Sequence, residues 1–262
     1  PFATANKPLR TVAFLLFDHI AGLDTLFYTL CSGGTLIIPQ DRSTHSICQL
    51  IQQRRAQVLP TSPSFLNLLF LSGDARVFDL ASLEIVTFGS EPMSESGLAR
   101  VNRMFPGARV IQKYGASEFG SPRSKSRGDS DLWLKIDSDA FKVKIIDDIL
   151  WVKSSSTMLG YLNCPQPLVD DGYYCTGDRV ELDGQWLRIL GRHSDIINVG
   201  GEKVFPGEVE GVLLDLPAIE DALVYAEANL LLGNIVCAKI KLTEGGGSRA
   251  SEDSKLLKKA IR

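Results

Sequence analysis

The chain of 262 residues contains 5 cysteines, Cys31, Cys48, Cys164, Cys175 and Cys237, and no C-x-x-C pair. An odd, irregularly spaced set argues against a disulfide framework, so the thiols are expected to be reduced. Histidine is scarcer: His19, His45 and His193 stand at no ligand-like spacing from a cysteine, which argues against a zinc site. No apolar run approaches the ~20 residues that a membrane-spanning helix needs. No secretory pattern opens the chain. Neither sign of charge dominates, with 28 Lys and Arg against 31 Asp and Glu and a formal net charge of −3. That balance gives no reason to expect a nucleic-acid or membrane-surface partner. A cytoplasmic protein without a transmembrane segment is the expectation. What remains is ordinary for a soluble globular chain with a sizeable core: 44% hydrophobic and 23% charged residues. The length suits one large domain, or a domain with a smaller companion.

Hydrophobic periodicity divides the chain into three stretches. Over residues 1–120, short apolar runs alternate with 3-4-spaced patterns. Strands are expected at 11–17, 35–39, 58–60, 83–88 and 108–114. Helices are expected at 22–31, 46–55, 63–71 and 94–104. In the first helix Leu23, Leu26, Phe27 and Leu30 make an apolar face. Pro63 suits a first helical turn and Ser94 an N-cap. Such alternation predicts an α/β fold with a doubly wound, mostly parallel sheet. Residues 121–131 are polar and are read as a loop. Short strands follow at 132–136, 141–146, 149–153 and 185–190, the last after an Asp183-Gly184 turn, so 121–190 is expected to be a β-rich subdomain. Residues 191–262 read as a partial, small α+β domain. It has a helix at 208–216, strands at 222–225 and 235–242, a flexible loop at 245–251 and a helix at 254–262. The chain begins at Pro1 and ends inside that last helix, and is read as an internal piece of a longer protein.

Four blocks carry chemistry. Lys113-Tyr114-Gly115-Ala116-Ser117-Glu118 follows a buried strand, and ligands of open α/β sheets bind beyond the strands' carboxyl ends. A tyrosine ring stacks on a purine, Gly115 permits close backbone approach, a Ser117 hydroxyl reaches a phosphate oxygen, and a Glu118 carboxylate suits Mg²⁺. Tyr174-Cys175-Thr176-Gly177-Asp178 offers a carboxylate able to accept both ribose hydroxyls. Gly191-Arg192-His193-Ser194-Asp195 and Gly200-Gly201-Glu202-Lys203-Val204 follow. Each block also has a purely structural reading. The first is a strand ending in a glycine turn, the second a hairpin turn, the third a surface turn with an Arg–Asp pair, and the fourth a turn before an acidic-capped helix.

Taken in order, the four blocks resemble the nucleotide-site and hinge motifs of adenylate-forming (AMP-binding) enzymes, most closely acyl-CoA synthetases and fatty-acid ligases. The resemblance implies ATP-dependent activation of a carboxylic acid to an acyl adenylate with release of pyrophosphate, then transfer to a thiol. ATP and Mg²⁺ are the implied cofactors, with CoA or a carrier protein's phosphopantetheine as acceptor. Tyr114, Gly115, Asp178 and Arg192 would bind AMP. Gly89, Ser90 and Glu91 would border the adenine and the acyl pocket. Ser117 would contact the phosphate and Glu118 the metal. Gly200 and Gly201 would line a pantetheine tunnel, and Lys203 would approach the phosphate after a lid rotates about residues 193–195. In the same resemblance 1–190 is the large domain and 191–262 the lid. Serine at 117 stands where the family has threonine, and Asn198 where many relatives carry lysine. The family's phosphate loop and terminal Gly-Lys motif have no match, and Lys255, Lys258 and Lys259 lack that context. Two alternatives stay open: an amino-acid-activating domain, for which Phe17-Asp18 speaks against the acyl-ligase pattern of His19-Ile20-Ala21-Gly22, and a truncated, non-catalytic binding module.

Overall fold

The computed structural model describes residues 7–243, apart from 129, 130, 137, 138, 164, 166, 168 and 217. The helix expected at 254–262, with Lys255, Lys258 and Lys259, the loop at 245–251 and Cys164 lie outside the described residues. The chain divides into two compact units, Pro1–His193 and Ser194–Arg262.

The first unit begins with five parallel strands and their helices: β1 (Arg10–Val12), α1 (Ile20–Cys31), β2 (Thr35–Ile37), α2 (Thr44–Arg54), β3 (Val58–Thr61), α3 (Pro63–Ser72), β4 (Ile85–Phe88), α4 (Glu95–Met104) and β5 (Arg109–Gln112). Strand order is β2-β1-β3-β4-β5, so the winding reverses between β1 and β3. Right-handed crossovers then put α1 on one face and α2 to α4 on the other. The larger core follows that division. Ile47 and Ile51 of α2, Phe65 and Leu69 of α3, and Leu98 and Val101 of α4 pack on Val12, Leu59, Val86 and Phe88. Ser43, Ser62 and Ser94 cap the three helices by accepting from Ser46, Phe65 and Gly97 amides.

Two expectations need correction here. The strand expected at 11–17 ends at Val12, and Leu16 and Phe17 are exposed beyond it. Helix α1 is also rotated from the face its leucines predict: Gly22, Thr25 and Thr29 face inward, Leu23 and Leu26 are half-buried, and Phe27 and Leu30 are exposed. Close approach explains it, because a Cβ on Gly22 would lie 1.8 Å from the Leu16 carbonyl oxygen. The threonines tolerate burial because each hydroxyl donates to the carbonyl four residues earlier, both at 2.8 Å.

The rest of the first unit is an antiparallel sheet of β6 (Ser124–Ser126), β7 (Trp133–Ile136), β8 (Phe141–Ile146), β9 (Ile149–Ser154), β10 (Val169–Asp170), β11 (Tyr173–Asp183) and β12 (Trp186–Arg192), in the order β6-β7-β12-β11-β9-β8 with β10 on β11. Strand β6 lies inside the stretch expected to be loop, and pairing with β7 makes it a strand despite its polarity. The second unit contains β13 (Ile197–Val199), β14 (Glu202–Val204), α5 (Pro206–Leu214), β15 (Ile219–Asn229) and β16 (Gly233–Leu242), ordered β14-β13-β16-β15. Its core gathers Ile197, Leu213, Ile219 and Val224. No helix among the described residues is long and apolar enough to cross a membrane.

Candidate active site

After β5 the chain makes a tight loop closed by an Ala116–Gly120 bridge, with the Gly120 amide donating to the Ala116 oxygen at 2.7 Å. Alternation inside this loop sorts its side chains. Phe119 is fully buried and lies 5.9 Å, ring to ring, from both Tyr114 and Tyr174. Ser117 is exposed at the tip, and Glu118 is half-buried beside it. Gly115 is required by packing: a Cβ there would lie 2.7 Å from Ser121 Oγ and 2.9 Å from the Gly120 oxygen. The freedom credited to Gly115 for approaching a ligand is thus used within the loop itself.

The Thr176-Gly177-Asp178 segment is no hairpin turn. It is an irregularity within the long strand β11, where Gly177 takes a φ of 73° and the register against β9 shifts between Cys175 and Arg179. Bulges re-aim side chains. Here Thr176 Oγ1 donates to the Leu150 oxygen at 2.7 Å and accepts from the Asp178 amide at 3.0 Å. Asp178 stands opposite Arg192 in the β11–β12 register. Its carboxylate takes the Tyr114 hydroxyl at 2.7 Å on one oxygen and Arg192 Nε at 3.0 Å on the other. Sequence positions 114, 178 and 192 are therefore one constellation. Burial raises the Asp178 pKa above the carboxylate norm, and the Tyr114 hydrogen bond and Arg192 oppose it. Tyr114 is held well above the usual phenol range by burial and then by the Asp178 charge, so it stays a neutral donor. The Arg192 side chain is 60% exposed, so its guanidinium retains donors toward solvent.

Glu118 presents a second carboxylate. Tyr161 donates its hydroxyl to Oε1 at 2.8 Å, and the Tyr161 and Tyr174 oxygens lie 3.5 Å apart. Burial raises the Tyr174 pKa, helped by Tyr161 and by the Glu118 charge. Phe119 and Tyr161, which the motif reading did not single out, contact this constellation, and Tyr174 and Thr176, quoted there only as part of the Asp178 block, support it. For Phe119 the one signal available was an aromatic next to Glu118. Among the described residues no three potential ligands cluster as a metal cage. One hard carboxylate oxygen nevertheless fits Mg²⁺, which takes one or two protein carboxylates and completes its shell with phosphate and water. Glu118 is the residue that would hold it.

The other predicted residues divide. Gly89 follows β4, where a Cβ would lie 2.7 Å from the Lys113 oxygen, and Ser90 takes a φ of 70°. The Glu91 carboxylate is committed to the start of α3, accepting from the Ser64 amide at 2.9 Å and its hydroxyl at 2.6 Å. Asp18 and His19 are both exposed and pair with each other at 3.7 Å. Gly200 and Gly201, in the second unit, form the two-residue turn joining β13 and β14, with φ of 58° and 98°. Left-handed backbone at both positions accounts for both glycines. Asn198 Oδ1 accepts from the Gly201 amide at 3.0 Å, and Lys203 is exposed on β14.

A model of AMP-binding enzymes matches residues 3–162. The chain belongs to the AMP-binding enzyme family. Among curated relatives, the 4-coumarate–CoA ligase 4 of Arabidopsis thaliana is 27% identical over 95% of this chain and 47% of its own length. The vibriobactin-specific 2,3-dihydroxybenzoate-AMP ligase of Vibrio cholerae is 28% identical over 80% of the chain and 42% of its own length. Among solved structures, the amide bond synthetase McbA of Marinactinospora thermotolerans is 25% identical, with a TM-score of 0.75 over 92% of this chain and 53% of its own. ATP-bound MatB of Rhodopseudomonas palustris shares the fold, with a TM-score of 0.78 at 23% identity over 91% of this chain and 51% of its own. The chain thus spans about half the length of the relatives it matches.

Proposed function

We propose that this chain carries the nucleotide-binding part of an ATP-dependent acid-activating ligase. The observation that carries the reading is the carboxylate of Asp178 held between the Tyr114 hydroxyl and Arg192 Nε. A ribose presents two hydroxyls that donate to one carboxylate, and a guanidinium beside it supplies further donors. The Tyr114 ring offers its face to a purine. Ser117, free at the loop tip, donates to a phosphate oxygen.

In the reaction so read, an acid's carboxylate oxygen attacks the α-phosphorus of ATP. Pyrophosphate leaves and an acyl adenylate forms. The chain's residues bind and orient, which is how most of the barrier to phosphoryl chemistry is lowered. Glu118 would hold Mg²⁺, which would neutralise phosphate charge. A thiol, of CoA or of a carrier protein's phosphopantetheine, then takes the acyl group. Residues 193–195, a short 3-10 turn at the junction of the two units, are the hinge of this proposal, and Lys203 acts in the thiol step.

Two measurements test it. Residues 1–262 should bind AMP by calorimetry, and Asp178→Ala should abolish that binding. In the longest natural protein containing the chain, Glu118→Gln should lower acid-dependent pyrophosphate exchange about a hundredfold or more while leaving the fold intact, the scale of several kcal/mol of lost charge stabilisation. Exchange near the wild-type rate would remove Glu118 from the metal role.

A further inference from the structure

One segment, residues 154–161 at the end of β9, holds the Glu118-Phe119 step at three points. The Met158 amide donates to the Glu118 carbonyl oxygen at 2.7 Å, and Ser156 Oγ donates to the Phe119 oxygen at 2.9 Å. The Tyr161 hydroxyl donates to the Glu118 carboxylate. The segment is itself anchored. Met158 packs against the core of the antiparallel sheet, and the Ser156 amide donates to Ser154 Oγ at 3.1 Å. Gly120 belongs to the same contact, since a Cβ there would lie 2.9 Å from Ser156 Oγ. Gly160 takes a φ of 149°, a backbone that favours glycine, immediately before Tyr161.

The bond from Tyr161 divides the two oxygens of Glu118. Oε1 accepts the hydroxyl at 2.8 Å, while no donor among the described residues reaches Oε2. A phenol carries one proton. With that proton given to Oε1, the Tyr174 hydroxyl, 3.5 Å away, can only donate toward the Tyr161 oxygen. Tyr174 is buried, and its ring lies 5.9 Å from that of Phe119. The series Tyr174, Tyr161, Glu118 thus leads out of the core to one carboxylate oxygen and ends there.

Mg²⁺ and Ca²⁺ use a carboxylate differently. Mg²⁺ demands a near-octahedral shell of short bonds, to which a carboxylate gives one oxygen. Ca²⁺ accepts a larger and looser shell and takes a carboxylate by one oxygen or by both. A carboxylate with one oxygen already committed suits the smaller ion. We infer that Tyr161 is a positioning residue of the proposed metal site: its hydroxyl keeps Oε1 of Glu118 engaged, so that the carboxylate meets a divalent cation through Oε2 alone and favours Mg²⁺ over Ca²⁺. The inference rests on the reading of Glu118 as the metal residue and adds what sets its mode of ligation. Partners that orient a ligating side chain commonly carry about ten- to a hundredfold in metal affinity.

The test uses the longest natural protein that contains the chain. Calorimetry measures its dissociation constant for α,β-methylene-ATP, an analogue that resists cleavage at the α-phosphorus, saturated with Mg²⁺ or with Ca²⁺. In the wild type the Mg²⁺ complex should bind more tightly. Tyr161→Phe keeps the ring and removes the hydroxyl. It should weaken the Mg²⁺ complex about tenfold and the Ca²⁺ complex less, so that the preference narrows while the melting temperature stays near wild type. Ser156→Ala cuts another tie of the same segment and controls for structural damage: it should lower the melting temperature and leave the preference in place. A wild type that prefers Ca²⁺, an equal loss with both cations in Tyr161→Phe, or the same narrowing in Ser156→Ala overturns the inference. Glu118→Gln separates the two readings. If it weakens the Mg²⁺ complex and Tyr161→Phe leaves the preference unmoved, Glu118 keeps the metal role and the inference alone falls. If Glu118→Gln leaves both complexes at wild-type affinity, both fall.

Discussion

Two glycine-bearing loops, one in each unit, look equally motif-like in the sequence and are built differently. The 114–120 loop is anchored. Phe119 sits in the core between two tyrosine rings, and Gly115 packs against Ser121. Asp178 of β11, itself paired with Arg192 of β12, accepts from the Tyr114 hydroxyl, and Tyr161 donates to Glu118. The 197–204 hairpin is a turn with left-handed glycines, one side-chain cap from Asn198, and an exposed lysine. In the first, packing sets where the binding atoms point. In the second, local backbone geometry is satisfied and Lys203 is left to solvent. The first loop is tied to a core at its own tip, through Phe119, whereas the hairpin is tied to one through its strands, at Ile197, Val199 and Val204, and its glycine turn adds no side chain to it.

The largest effect should come from cutting the anchor. Phe119→Ala should cost about 3–5 kcal/mol in urea unfolding, the usual range for a fully buried phenylalanine, and should abolish AMP binding although Phe119 touches no proposed ligand group. A loss under ~1 kcal/mol would mean that the loop is held by its hydrogen bonds alone and the comparison fails.

A smaller effect is expected in the hairpin. Gly201→Ala forces a side chain onto a φ of 98° and should cost about 1–2 kcal/mol. Lys203→Ala, by contrast, should leave thermal stability within ~0.5 kcal/mol of wild type, as surface changes do. Equal destabilisation by the two would show that Lys203 has a structural partner.

The smallest effect concerns the price of a charge held ready for ligand. The Asp178 carboxyl protonates more readily in the fold than in the unfolded chain, because burial raises its pKa. The native state therefore binds more protons. The stability this group contributes is fully present below its unfolded pKa of about 4 and is lost as pH rises through the raised native value. Asp178→Asn should accordingly raise the melting temperature slightly at pH ~7, the gain closing as pH falls to about 4, while AMP binding is lost. A lower melting temperature across the whole range would mean that the bonds from Tyr114 and Arg192 outweigh the burial.

Much of the first unit was legible because each signal was local. Five strands and four helices of the parallel layer follow from periodicity, and the Ser94 cap and Pro63 first turn from single residues. Strand ends were less legible. The apolar run at 11–17 reads as one strand, but hydrogen bonding to β2 and β3 ends it at Val12. Strand β11 was missed because its Thr-Gly-Asp centre carries turn chemistry, and only pairing with β9 and β12 shows it to be a bulge.

The sequence by itself determined the order of the four chemical blocks, the α/β layer and the family to which the chain belongs. Those depend on residue types at short range, where side-chain period and turn preference act. Tertiary structure decided which blocks meet. Tyr114, Asp178 and Arg192 share hydrogen bonds because β5 ends beside the bulge of β11 and β12 returns antiparallel to it, an outcome of strand pairing that no local window contains. It also decided that α1 buries threonines rather than leucines, since the closest backbone approach at Gly22 fixes which face turns inward. Packing distances are set by the whole layer at once, and periodicity within one helix cannot report them.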